Sequence, residues 1–183
     1  MKAIILPGNG NSYITDIWYQ NVKKNLEKLG LNVTAENMPD PDLARKKYWI
    51  PFIEEKLSTE DSILIGHSSG ALAVLKYLEN HKCKLAILVG VCHTDLGDEH
   101  KRKSGYFDEP WKWEAIKNNA EKIVIFASKD DPYIPIDEPL LVKEKTHAEY
   151  HEFNNEGHFG LDVDKKEFPE IITIVKKFLN AKT

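Results

Sequence analysis

The sequence predicts an α/β fold, a single domain with a mostly parallel central sheet of about six strands and helices on both faces. Short apolar, β-branched runs alternate with stretches of helical periodicity from end to end, the pattern left by successive right-handed crossovers. The loops that hold the candidate functional residues, after Leu6, Ile65, Val91, Ala127 and Phe153, all fall at the carboxyl edge of such a sheet, where its ligands bind. No repeat, charge block or shift of composition marks a second domain or a large lid, so residues 1–183 read as one unit.

Lys2 to Leu6 reads as a buried strand that ends in the glycine-rich loop Pro7-Gly8-Asn9-Gly10. Trp18, Val22, Leu26 and Leu29 then recur at helical spacing, and Gly30 supplies the stop. Leu31 to Glu36 is a weaker strand. Pro39-Asp40-Pro41-Asp42 makes a rigid loop in which Asp40 or Asp42 is placed to cap the next helix, and Pro51 is expected to kink or split that helix. Ser62 to Ile65 runs straight through Gly66-His67-Ser68-Ser69-Gly70 into an Ala/Leu/Val-rich helix from Ala71 to Leu78. Lys84 to Val91 and Lys122 to Ala127 are further strands, separated by a long aromatic-bearing segment, His93 to Asn119. A helix near Asp137 to Lys145, a strand near Glu149 to Phe153 and a helix from about Phe168 to Leu179 close the chain.

Composition excludes several classes of function. With 42% hydrophobic and 30% charged residues, the chain is neither disordered nor fibrous. Its 25 basic against 29 acidic residues give a net charge of −4, without the basic excess that a phosphate backbone selects, so no nucleic-acid partner is expected. The apolar run after Lys2 is too short for a signal peptide, and Leu85 to Cys92 falls far short of the roughly 18 residues of a membrane span. No membrane association is expected. Cys83 and Cys92, in or beside one strand at about 3.3 Å of rise per residue, are too far apart to pair, which suits a reduced, cytoplasmic protein.

Gly66-His67-Ser68-Ser69-Gly70 matches G-x-S-x-G between a strand and a helix. Glycines on either side permit the sharp turn that lifts the Ser68 hydroxyl above the sheet, and the helix start aims N–H groups at developing negative charge. A serine is a weak nucleophile at neutral pH and needs an imidazole base held by a carboxylate, in the order Ser, acid, His of α/β-hydrolases. Asp130 and Asp131 follow one later strand and His158 follows the last, beside Gly157. The other histidines, His67, His81, His93, His100, His147 and His151, lack that placement. Asp130 and Asp131 cannot both face His158 from extended backbone; the Asp131-Pro132-x-x-Pro135 context resembles the superfamily's acid loop, and on that resemblance Asp131 is the acid. The oxyanion donors are expected to be the backbone N–H groups of Ser69 and Asn9.

Eight runs carry a more specific resemblance. Pro7-Gly8-Asn9-Gly10, Asn37-Met38-Pro39-Asp40-Pro41, Ile65 to Gly70, Asp95-Leu96-Gly97-Asp98-Glu99, Ser104-Gly105-Tyr106-Phe107, Pro110-Trp111-x-Trp113-Glu114, Asp130-Asp131-Pro132 and Gly157-His158-Phe159 look like those of the retinoblastoma-binding protein 9-like serine hydrolases. The likeness spans nearly the whole chain. It implies a small α/β-hydrolase with a serine triad, carried here by Ser68, Asp131 and His158. The family's L-x-C-x-E pocket-binding motif aligns with Leu57 to Asp61, where Thr59 and Asp61 stand in the Cys and Glu positions, which argues against retinoblastoma-protein binding.

The expected activity is metal-independent and cofactor-free hydrolysis of a small ester or amide through an acyl-enzyme. Tyr106, Phe107, Trp111 and Trp113 are candidates for an apolar substrate pocket. His93, Asp95, Asp98, Glu99 and His100 follow no metal-ligand spacing and read as a solvated loop. Gly8-Asn9-Gly10 with Glu36 mimics a dinucleotide fingerprint, but Tyr13 replaces the third glycine and the helix begins too late. The other alternative keeps the fold with a weak or inactive triad, as a protein-binding module.

Overall fold

Strands β1 (Lys2–Leu6), β2 (Asn32–Thr34), β3 (Ser62–His67), β4 (Cys83–Val89), β5 (Ala120–Ser128) and β6 (Glu149–Phe153) form one sheet in the order β2-β1-β3-β4-β5-β6, every pair parallel. The helices are α1 (Tyr19–Lys28), α2 (Lys46–Lys56), α3 (Ser69–Leu78), α4 (Glu99–Lys103), α5 (Trp113–Asn118), α6 (Asp137–Thr146) and α7 (Pro169–Asn180). This computed structural model describes residues 1–57 and 60–181. Ser58 and Thr59, within the stretch compared with L-x-C-x-E, lie outside the described residues.

The four inner strands are apolar because both their faces are covered. Ala3, Ile5, Ile63, Ile65, Leu85, Ile87, Val124 and Phe126 pack on one side against α1 and α7, through residues such as Tyr19, Val22, Leu26, Phe168, Ile171 and Val175. Alternate positions Ile4, Leu6, Leu64, Ala86, Leu88 and Ile125 pack on the other against α2, α3, α5 and α6. The period of two along each strand thus divides the core into two layers. Strand order reverses between β1 and β3, since the chain first adds β2 outside β1 and then crosses back. That reversal opens a crevice at their carboxyl ends, where the loop after Leu6 meets the loop after His67.

Several local expectations are revised. Neither Asp40 nor Asp42 caps α2; Asp40 instead grips Arg45, the residue before the helix, through its backbone N–H at 3.0 Å and its guanidinium at 2.8 Å. Pro51 lies inside an unbroken α2. β2 is shorter than the apolar pattern implied. The segment from His93 to Asn119 contains two short helices, α4 and α5, that no periodicity announced.

One buried ion pair fastens that segment to the core. On α3, Lys76 Nζ lies 2.8 Å from Glu79 Oε1, with side chains 4% and 5% exposed. The ammonium also sits 4.5 Å from the centre of the Trp111 ring, and Glu79 accepts the Lys112 N–H at 3.3 Å. Replacing Glu79 with Ala strands a buried cation, so E79A should lower unfolding free energy by about 3–5 kcal/mol in urea titration, while the double change to Lys76→Met and Glu79→Leu should cost far less.

Candidate active site

Ser68 sits at the turn from β3 to α3 with φ 55° and ψ −117°, a conformation that L side chains rarely adopt. Its neighbours make the turn possible. A Cβ on Gly66 would lie 2.4 Å from the Gly70 carbonyl oxygen, and one on Gly70 would lie 2.3 Å from the Leu6 carbonyl oxygen. β3, α3 and β1 therefore approach more closely than any side chain permits. The Ser68 N–H donates to the Val89 carbonyl at 2.8 Å, which ties the turn to the end of β4. Ser69 opens α3, so its N–H has no intrahelical acceptor.

The loop after β1 lies against this turn, with Gly8 placed so that a Cβ would meet Ser68 Cβ at 3.4 Å. Three of the four N–H groups from Gly8 to Asn11 are occupied. Gly8 donates to Tyr19 Oη at 3.2 Å, Gly10 to the Asp42 carbonyl at 3.1 Å and Asn11 to the Pro41 carbonyl at 3.2 Å. Among the described residues, the Asn9 N–H has no such acceptor. The two N–H groups expected to meet an oxyanion are those left open, one on each side of the crevice.

His158 and Asp131 arrive from the loops after β6 and β5. Asp131 Oδ2 accepts from His158 Nδ1–H at 2.7 Å, and Oδ1 accepts the N–H groups of Tyr133 at 2.9 Å and Ile134 at 3.0 Å. Because a carboxylate only accepts, Nδ1 carries the proton and Nε2 is the basic nitrogen. Asp130 turns the other way, toward the Ser128 hydroxyl and the Gly157 N–H; the Ser128 hydrogen bond chiefly holds its carboxyl below the usual range. The backbone of His158 is held on both sides, its N–H by Asp162 Oδ2 at 2.7 Å and its carbonyl by His67 Nε2–H at 2.7 Å. Gly90, at φ +58°, leaves the space for the ring: a Cβ there would lie 2.9 Å from His158 Cε1 and 3.7 Å from Asp131 Oδ2.

Ser68 and His158 both line a cavity of about 390 Å³ at the carboxyl edge. No direct hydrogen bond joins them among the described residues, an arrangement common before substrate binds. The apolar wall of this cavity comes from Ile17, Tyr133 and Ile134. Tyr106, Phe107, Trp111 and Trp113 do not line it. Tyr106 is fully buried in the core, and the other three pack against that core, with Trp111 Nε1–H donating to the His93 carbonyl at 2.8 Å. The lining aromatic, Tyr133, stands inside the Asp131-Pro132-Tyr133-Ile134-Pro135 run, so the acid loop was the signal for the pocket wall.

The remaining candidates have other partners. His93 pairs with Glu138, Asp95 with Arg102, Glu99 with Lys103, and Asp98 accepts the His100 N–H at the start of α4. No three His, Cys, Asp or Glu residues among those described are grouped to hold a metal. Glu36 pairs with Lys56 at 3.0 Å. No described helix is long and apolar enough to cross a membrane.

A parallel sheet of this order, with a glycine-flanked serine at the β3–α3 turn and a histidine–aspartate pair over the same crevice, defines an α/β-hydrolase. Solved structures agree on the fold. The ydeN gene product from B. subtilis superimposes with a TM-score of 0.87 at 23% identity, covering 98% of each chain. The esterase Pf2001 of Pyrococcus furiosus reaches 0.68 at 16% identity over 98% of this chain and 82% of its own. The serine hydrolase family model matches residues 3–177, and "Serine hydrolase RBBP9" of Rattus norvegicus is 45% identical over 181 residues, 97% of this chain and 95% of the rat protein. The chain belongs to the serine hydrolase family, in the branch that resembles this rat enzyme.

Burial, with the neighbouring His158 as a smaller cause, depresses His67 from 6.5 to about 3. Between those values the unfolded chain binds a proton that the folded protein does not, so stability is lost as pH falls through that window, by at most about 1.4 kcal/mol per pH unit. Urea titrations from pH 7 to 4 should show a smaller slope in H67Q than in the wild type.

Proposed function

We propose that this hydrolase cleaves a small, partly apolar ester or amide through an acyl-enzyme on Ser68. The observation that carries the reading is the 2.7 Å hydrogen bond from His158 Nδ1–H to Asp131 Oδ2, set over the cavity that Ser68 also lines. His158 Nε2 takes the Ser68 proton as Oγ attacks the carbonyl carbon, and returns it to the departing alcohol or amine. Asp131, itself anchored by two backbone N–H groups, holds the imidazole in the required tautomer. The N–H groups of Asn9 and Ser69 receive the oxyanion, helped by the positive end of α3. Water then repeats the sequence to free Ser68.

No step calls for a metal or cofactor, and the partner is a small molecule rather than nucleic acid or a membrane. Two free, buried cysteines suit a cytoplasmic setting. Thr59 and Asp61, where the L-x-C-x-E motif has Cys and Glu, argue against retinoblastoma-protein binding. Ile17, Tyr133 and Ile134 favour an apolar acyl or alcohol group.

Labelling with a fluorophosphonate probe, followed by peptide mass spectrometry, should place the adduct on Ser68 and find none in S68A. Turnover of p-nitrophenyl butyrate should vanish in S68A, and D131N should lower kcat by about 10⁴-fold by admitting the wrong tautomer. Full turnover in S68A would overturn the assignment of Ser68, and an unlabelled but folded wild type would favour the protein-binding alternative.

A further inference from the structure

A chain of polar groups crosses the otherwise apolar layer beneath the crevice. The Gly8 N–H donates to Tyr19 Oη at 3.2 Å, and Tyr19 Oη lies 2.6 Å from His67 Nδ1. His67 Nε2 lies 2.7 Å from the His158 carbonyl oxygen. A carbonyl only accepts, so Nε2 carries the His67 proton; Nδ1 of the neutral ring then accepts, and the Tyr19 hydroxyl donates. Every link thus has a defined direction. Tyr19 is fully buried and His67 is 5% exposed, and the Trp18 ring stands edge-on to both.

The chain joins four separate parts of the fold, the β1 loop, α1, the end of β3 and the loop after β6. A buried hydrogen-bonded pair of this kind adds little net stability over an apolar pair of the same shape. Its distinctive product is geometry. It fixes the loop that offers the Asn9 N–H against the backbone that carries the His158 imidazole, and it passes through the residue immediately before Ser68. Trp18 Nε1–H, donating to the Phe159 carbonyl at 2.8 Å, holds the next peptide in the same direction.

We propose that Tyr19 and His67 are positioning residues, whose hydrogen-bonded chain sets the register between the oxyanion loop and the His158 base over Ser68. The proposal rests on the hydrolase reading above for its kinetic consequence, and on the distances alone for its structural one. A misplacement of about 1 Å at a base costs on the order of 10²-fold in rate. Substrate binding should be little affected, because the apolar wall is formed by Ile17, Tyr133 and Ile134, and His67, which also borders the cavity, is only 5% exposed.

The test compares H67L, H67Q and Y19F with the wild type on p-nitrophenyl butyrate, with kcat taken per site titrated by fluorophosphonate so that misfolded protein drops out. Gln keeps an N–H donor near the Nε2 position, whereas Leu keeps none. H67L should lose about 10²-fold in kcat with KM nearly unchanged, Y19F should lose part of that, and H67Q should recover most of it. In proton NMR, the low-field resonance of the His158–Asp131 hydrogen bond should shift or broaden in H67L and return in H67Q. Equal kcat per titrated site in H67L and wild type, or equal loss in H67L and H67Q, would overturn the proposal. If the wild type neither labels nor turns over, the hydrolase reading fails, and the NMR comparison alone decides whether His67 positions His158.

Discussion

The site depends on one close approach, the contact of the Ser68 turn with the end of β1. Gly66 and Gly70 let three backbones meet at distances a Cβ would forbid, and this contact keeps Ser68 at a positive φ with its hydroxyl above the sheet. The same contact brings the Gly8–Asn9 loop beside Ser68 and directs the start of α3 into the crevice. The Ser68 turn and both open N–H groups are therefore products of a single packing event at the strand-order reversal.

Around that contact the fold supplies rigidity from several independent sources. Extra ladder bonds, such as Ser68 N–H to Val89 and Gly90 N–H to Phe126, carry the sheet's order past the strand ends into the loops. Asp130 and Ser128 lash the β5 and β6 loops together, which frees the adjacent Asp131 to face His158. Asp162 and His67 hold the two sides of the His158 backbone. The side chains of Ser128, Asp130, Asp162 and His67 are each spent on holding a neighbouring loop, a pattern that preorganised sites require.

Much of this was legible in the sequence because it is local. The strand–turn–helix context of Gly66 to Gly70, the apolar runs of period two, and the placement of Asp131 and His158 after later strands all follow from neighbouring residues. The placement of all three side chains at one carboxyl edge followed from topology alone. Contacts made through space were not legible. Gly90 interrupts the apolar run from Leu85 to Cys92 and belongs to no motif, yet its missing side chain is where the His158 ring sits. His67 stood only among the rival histidines, and no spacing or motif singled out Tyr19. The four aromatics from Tyr106 to Trp113 suit a pocket by their ring chemistry; instead Trp111 is held by Lys76 and the His93 carbonyl, Tyr106 lies in the core, and Phe107 and Trp113 pack against it. An ion pair between residues of one helix and a ring from a distant loop leaves no periodicity to read.

The most direct test of the account is the crystal structure of the fluorophosphonate-treated enzyme. The account predicts a phosphorus bonded to Ser68 Oγ, with its phosphoryl oxygen about 2.7–3.1 Å from the N–H groups of both Asn9 and Ser69. An adduct on Ser69, or a phosphoryl oxygen that meets neither N–H, would contradict it.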